Sequence, residues 1–250
     1  MTLRLERDGA IGRLLIDRPD KRNAFNQAMW ELLPKLVAEA LADDAIRVIV
    51  VQSSTPGMFC AGADIGELMA NKDDAVWRTA NQEAINKTQY ELTRAAKPTI
   101  AFVDGDCVGG GCGIALACDL RVATLRSRFG ITPANLGLVY PLHDTKLLVD
   151  QVGPGQAKRM LFSAALINAA EAQRIGLIDQ IADSPDELAH LFAEKSRHSL
   201  KEMKAMVRRV LDGQSADDAQ TNRIFAEAFT LPDFIEGTTA FLDKRKAKFK

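Results

Sequence analysis

A strand that runs straight into three consecutive glycines constrains this chain more than any other feature. The run "TIAFVDG", residues 99–105, is apolar and β-branched without alternation, the pattern of a strand buried on both faces, and "VGGGCGIALACD", residues 108–119, follows it. Gly109, Gly110 and Gly111 then open an apolar helix, so the first-turn N–H groups lack helical partners at the positive end of the helix dipole. Such a run suits a phosphate loop, a tight packing device or the wall of a catalytic site. A P-loop needs Lys and Ser or Thr after the glycines, and a dinucleotide fingerprint needs G-x-G-x-x-G spacing; neither is present. Close packing of helix on strand would explain the glycines taken alone.

A second loop repeats the design. "FCAGADIGEL", residues 59–68, sets Ala61, Gly62 and Ala63 between a strand and a helix that begins near Asp64. Before it lies another buried-strand pattern, "IRVIVVQSS". Two free backbone amides converging on one oxygen make an oxyanion hole, which holds developing negative charge without a metal or a charged side chain. That convergence favours the catalytic reading.

The remaining sequence frames these loops. An Asp-Gly pair in "RDGA" predicts an opening antiparallel hairpin. Asn26 predicts an N-cap for a helix with Trp30, Leu33, Val37 and Leu41 on one face, and Pro34 marks a weak point or kink. Helical periodicity runs from about Ile65 to Ala96 and ends at Pro98; "DLRVATLRSRFG" predicts one or two short strands. From His143 onward the pattern is helical, apart from "GLIDQIA", with the last helices at 185–211 and 217–246. The expected organisation is a strand-rich α/β core over 1–185 and a helical segment over 186–250.

Composition excludes several classes. Lys and Arg number 32 against 33 Asp and Glu, so no global field recruits nucleic acid or an acidic membrane. No apolar run approaches a membrane span, and the start carries charges every few residues, unlike a signal peptide; a cytoplasmic location is the expectation. Cys60, Cys107, Cys112 and Cys118 lack zinc-like pairing and read as buried thiols. His143, His190 and His198 lack ligand spacing, so no metal site is expected.

Five segments in order, "RPDKRNAFN", "FCAGADIGEL", "KPTIAFVDGDCVGGGCGIALACDLRVA", "AAEAQRIGLID" and "EGTTAFLDKRKAKFK", resemble the crotonase (enoyl-CoA hydratase/isomerase) superfamily over essentially the whole chain. The resemblance implies a crotonase-like spiral of ββα units with a C-terminal helical segment, assembled as a homotrimer or dimer of trimers. It implies an acyl-CoA substrate and no cofactor beyond the CoA that the substrate carries. By position, Ala63 and Gly110 would supply the oxyanion amides. Arg22, Ala24, Ala61, Asp64, Ile65, Val108 and Pro133 would border the acyl-CoA, with Phe241 and Lys244 reaching it from a neighbouring subunit. For the basic ending, a solvated helix end is the alternative.

The resemblance breaks at two places. Hydratases of this family carry one glutamate at the second residue after the triple glycine and another twenty residues on; here Gly113 and Pro133 stand there. Neither moves a proton, so hydration and carboxylate-driven isomerisation are disfavoured. A reaction that needs an enolate but little proton abstraction remains, and decarboxylation of a short β-carboxyacyl-CoA meets it. "ITPANLGLVYPL", residues 131–142, resembles the methylmalonyl-CoA decarboxylase branch, in which a tyrosine at the place of Tyr140 sits beside the departing carboxylate. That branch has histidine where this chain has Ala63. The alternatives are a hydratase or isomerase that uses Tyr140, His143 or Asp144 as relocated acid and base, and a non-catalytic CoA-binding or RNA-associated member. His143 reads as a surface or supporting group with the cleft as its alternative; Asp144 reads as its orienting partner or as a helix N-cap after Pro141, and Asp64 as a cap.

Overall fold

The computed structural model describes residues 2–249. The chain runs β1 (Leu3–Asp8), β2 (Ile11–Ile16), α1 (Gln27–Ala42), β3 (Val48–Ser53), β4 (Met58–Cys60), α2 (Ile65–Ala70), α3 (Ala75–Thr93), β5 (Thr99–Val103) and β6 (Asp106–Val108). It continues through α4 (Gly110–Ala117), β7 (Leu120–Ala123), β8 (Arg128–Gly130), α5 (Leu142–Ser163), β9 (Ile167–Asn168), α6 (Ala169–Arg174) and β10 (Gln180–Ile181). Four helices close it: α7 (Asp186–Ala193), α8 (Arg197–Leu211), α9 (Ala219–Ala228) and α10 (Pro232–Leu242).

The strands form two sheets, a larger one in the order β1-β2-β3-β5-β7-β10 and a smaller one in the order β4-β6-β8-β9. The predicted hairpin is present, with Asp8 opposite Ile11 across a turn in which Gly9 takes a φ of +59°. From β2 onward the larger sheet is parallel, and in the smaller sheet β4, β6 and β8 are parallel while β9 is antiparallel. Successive turns therefore place one strand in each sheet and then a helix, a mixed α/β spiral. Its helices cover the uninterrupted apolar strands, as the continuous Val/Ile runs require.

Helix α1 shows how local chemistry is satisfied across elements. Asn26 caps it through the Met29 amide, and Trp30, Leu33 and Val37 are buried as expected, while Leu41 is only half-buried. Pro34 lies inside the helix and removes the N–H that would reach the Trp30 carbonyl one turn back. The Thr88 hydroxyl from α3 donates to that carbonyl at 2.8 Å, so the proline is accommodated by a neighbouring helix.

The long helices expected from periodicity are each divided. Asp74 accepts from the Trp77 amide and starts α3 anew, leaving α2 as a short helix. Ser196 caps α8 and Pro232 opens α10, which splits the last two segments into four helices. The caps, not the periodic pattern, decide the boundaries. Helix α7 sets Ala189 with Ile11, Val48, Val50, Ile100 and Val122 of the larger sheet.

Candidate active site

The two loops singled out in the sequence meet at the edge of the smaller sheet. Strands β4 and β6 are parallel neighbours, with Cys60 opposite Cys107, so the chain leaves both at the same edge. Gly62 takes a φ of +101° and Gly109 a φ of +51°, turns that an L side chain rarely adopts. A β-carbon on Gly62 would stand 2.9 Å from the Val108 carbonyl oxygen and 3.3 Å from the Gly110 nitrogen. One on Gly110 would lie 3.6 Å from the Ala63 nitrogen and 3.1 Å from Trp30 Cζ2. The Ala63 and Gly110 amides are thus within a few ångströms of each other, and neither has a hydrogen-bond acceptor among the described residues.

The first loop is held from below by "RPDKRNAFN". Arg22 and Asn23 are consecutive left-handed residues, and the fully buried Asn23 side chain accepts from the Arg18 amide and donates to the Ser53 hydroxyl and the Phe59 carbonyl. Main-chain bonds then tie Phe25 to Gly62, Asp64 to Phe25 and Ala61 to Arg22. Asp64 caps α2 through the Gly66 and Glu67 amides and pairs with Arg18 at 2.9 Å. Burial raises the Asp64 pKa, but Arg18 and those amides outweigh it and leave the carboxyl below the usual carboxylate range. The capping role read from the sequence is the one the structure shows.

Helix α5 brings the decisive group. Asp144 sits in its first turn, yet the cap position is Pro141 and no side chain caps the helix, so the N-cap reading is corrected. The Asp144 side chain points inward instead, with the residue 2% exposed, and accepts a short hydrogen bond from Gln89 Nε2 on α3. A β-carbon on Gly113 would clash with the Asp144 carboxyl oxygen and stand 2.5 Å from Gln89 Nε2. The space where Gly113 has no side chain is filled by a carboxyl from another element, which corrects the expectation of a wall without an acid. Gly110 and Gly113 are three residues apart on α4, so the amide position and the position covered by the carboxyl lie along one side of the helix, their backbones about 4.5 Å apart in axial rise. Burial pushes the Asp144 carboxyl up to about 7, against the lowering effect of the Gln89 bond.

Tyr140 joins the same cluster. Its hydroxyl donates to the Gly109 carbonyl at 3.2 Å, the carbonyl that also accepts from the Gly113 amide. Burial, then the charge on Asp144 and the thiols of Cys112 and Cys107, hold the Tyr140 pKa well above its ordinary value. The four cysteines are buried and free, and burial pushes the Cys60 thiol, beside the first loop, up to about 12.

His143 is not part of this cluster. One residue from Asp144 on the helix, it faces Asn86, Lys87 and Tyr90 of α3. Burial lowers its pKa, and Arg94, Arg208 and Lys146 lower it further. Pro133 opens a short 3-10 turn, residues 133–136, and offers no titratable group. Of the other expected acyl-CoA neighbours, Ala24, Ala61 and Val108 are partly exposed, Ile65 is exposed, and the Arg22 guanidinium donates to Asp106 at 2.8 Å. Phe241 and Lys244 are exposed at the end of α10. The segment after them is anchored away from the two loops, where Phe249 accepts from Arg47 at 3.2 Å and Lys246 pairs with Glu194.

Sequence reading passed over Gln89, Asn23 and Arg18. Gln89 lies in a polar stretch of α3, where it and Thr88 are both fully buried, and nothing in that stretch marks it out. Among the described residues no cluster of three metal-ligating side chains occurs, and no helix is long and apolar enough to cross a membrane.

Paired free amides at the edge of a ββα spiral, with a buried carboxyl over Gly113 on the same helix as one of them, are an arrangement that can stabilise an oxyanion and move a proton beside it. The family model for enoyl-CoA hydratase/isomerase matches residues 6–250, and the chain belongs to that family. A crotonyl-CoA hydratase from Syntrophomonas wolfei is 35% identical over 257 residues, covering 98% of this chain and 96% of that protein. A short-chain-enoyl-CoA hydratase from Clostridium acetobutylicum is 31% identical, covering 97% of this chain and 95% of that protein. The crystal structure of an enoyl-CoA hydratase/isomerase family protein from Hyphomonas neptunium superposes with a TM-score of 0.96 at 36% identity, covering 100% of this chain and 98% of that one. The fold is the crotonase fold.

Proposed function

We propose that the protein binds an enoyl-CoA thioester with its carbonyl oxygen on the Ala63 and Gly110 amides and hydrates it, with Asp144 as the acid and base. The observation that carries this reading is the Asp144 carboxyl in the space above Gly113, poised to titrate near neutrality. Asp144 as carboxylate takes a proton from water while the water oxygen bonds to the β-carbon; the electron pair moves to the thioester oxygen, where the two amides hold it. The Asp144 acid then returns its proton to the α-carbon, and the carbonyl re-forms. One carboxyl closes the cycle. The same group shifts a double bond if it takes the first proton from carbon instead of water. The hydratase names of the two relatives support this reading.

The buried Tyr140 hydroxyl favours a second reading, decarboxylation of a short β-carboxyacyl-CoA such as methylmalonyl-CoA. There the departing CO₂ leaves its electrons in the enolate and Asp144 protonates the carbon. Assays of crotonyl-CoA, a 3-enoyl-CoA and methylmalonyl-CoA, with CO₂ release monitored, separate the readings. Hydration of crotonyl-CoA is the expected result; CO₂ release from methylmalonyl-CoA alone overturns it, and binding without turnover of any substrate marks a non-catalytic member.

The reading extends to a homotrimer or dimer of trimers in the cytoplasm, with Phe241 and Lys244 approaching a neighbour's CoA and no cofactor beyond that CoA. Its support is the apolar surface on α9 and α10, where Phe225, Ile235, Phe241 and Leu242 are all exposed in the single chain.

A further inference from the structure

The Gln89 side chain is fully buried, its Nε2 donates to Asp144, and its Oε1 has no hydrogen-bond partner among the described residues. An unpaired buried amide oxygen costs about 1–3 kcal/mol, so an arrangement that leaves one needs a reason. Asp144 supplies it. A carboxylate only accepts hydrogen bonds, whereas a protonated carboxyl also donates one. The glutamine amide carries a donor and an acceptor on groups of nearly equal size, exchanged by a half-turn about its last torsion. Gln89 therefore matches Asp144 in both of its proton states: N–H toward the carboxylate, C=O toward the acid.

We infer that Gln89 is a positioning residue that follows the proton on Asp144, offering its amide N–H to the base form and its carbonyl to the acid form. This rests on the reading of Asp144 as the acid and base. Among the described residues, Gln89 is the one side chain that hydrogen-bonds the Asp144 carboxyl. Helix α4 presents the bare Gly113, and Tyr140 is the titratable group beside Asp144, with its hydroxyl committed to the Gly109 carbonyl. A carboxyl without a partner in one of its two states would be trapped in the other, and a single-group cycle would stall halfway.

The test is an infrared titration of the free protein between about pH 5 and pH 9, following the carboxyl band that disappears in Asp144→Asn. The N–H bond to the carboxylate is charge-assisted and outweighs the neutral bond from the acid to the amide carbonyl, so Gln89→Leu is expected to move that titration upward by about one pH unit. On the substrate found by the assays above, kcat is expected to fall about 10- to 100-fold with KM little changed, and the acid limb of the rate profile to move with the infrared transition. In Gln89→Glu two carboxyls share one proton, and the transition is expected to split. A folded Gln89→Leu protein with wild-type titration and rate profile overturns the inference; if that variant does not fold, an unsplit transition in Gln89→Glu overturns it. Full activity in Asp144→Asn would instead defeat the acid/base reading, while the infrared shift still decides the Gln89–Asp144 pairing.

Discussion

The Asp144 carboxyl and a side chain at position 113 exclude each other: a β-carbon on Gly113 would stand well inside van der Waals contact of the Asp144 carboxyl oxygen, 3.4 Å from Asp144 Cγ. Gly113→Ala must therefore displace Asp144, Gln89 or both. Overpacking of this kind costs about 1–3 kcal/mol, and turnover should fall further than stability accounts for, because the carboxyl is moved from beside the amides. Thermal melts, CoA-analogue affinity and kcat measured on the same preparations check this; a folded variant with unchanged kcat would separate Asp144 from the chemistry.

Asp144→Asn should lower kcat by about 10²–10⁴ while leaving CoA-analogue binding intact. The acid limb of the wild-type profile should lie near pH 7, since the base form of Asp144 is populated only above its raised pKa, and that limb should be absent from any residual activity of the variant.

Stability should move the other way. Folding raises the Asp144 pKa from 3.8 to about 7, so the folded state is favoured by the proton: that contribution is complete below about pH 4 and is lost as the pH rises through 7. Asparagine avoids the burial of charge. The variant should match wild type near pH 4 and exceed it above pH 7 by a margin on the order of 4 kcal/mol, read from denaturant titrations at the two pH values.

Ala63→Pro deletes one of the two unpaired amides and should reduce turnover about 10²–10³-fold in a protein that still binds CoA. Circular dichroism is the control for loop strain. Undiminished turnover in a folded variant would remove Ala63 from the oxyanion pair.

Tyr140→Phe keeps the ring and removes the donor to the Gly109 carbonyl. A neutral hydrogen bond of that kind is worth about 1 kcal/mol of stability, a small change in a melt. If the hydroxyl serves decarboxylation, kcat for CO₂ release should fall well beyond the fivefold that 1 kcal/mol represents, whereas hydration should be less sensitive. Equal, small effects on both return the tyrosine to a packing role.

The two amide loops were legible because each is local: a strand, a few small residues, a helix. The caps at Asn26 and Asp64 were legible for the same reason. Asp144 was not. An aspartate three residues after a proline is the ordinary mark of a helix start, and nothing nearby in sequence says that it will meet Gly113 and Gln89, 31 and 55 residues away along the chain. The one available signal was negative, a glycine where the family carries an acid. Asn23 was hidden by the same limit, since its partners Ser53 and Phe59 lie on other strands. The helix boundaries at Asp74 and Ser196 were missed through giving amphipathic period priority over capping residues that stood in plain view.

The proposed oxyanion pair consists of main-chain atoms, and they are placed by contacts that leave no room for side chains. A β-carbon on Gly111 would stand 2.5 Å from the Cys60 carbonyl oxygen, so α4 rests on the end of β4 backbone to backbone. The part of the site that would polarise a thioester is thereby insulated from changes in side-chain identity, whereas the groups that would move protons arrive from α3 and α5. In a scaffold divided this way, one or two substitutions on those helices can exchange one reaction for another while the thioester grip stays as it was. The glycine at 113 with its aspartate at 144 is one such setting, with the carboxyl carried on α5 and a bare position beneath it on α4.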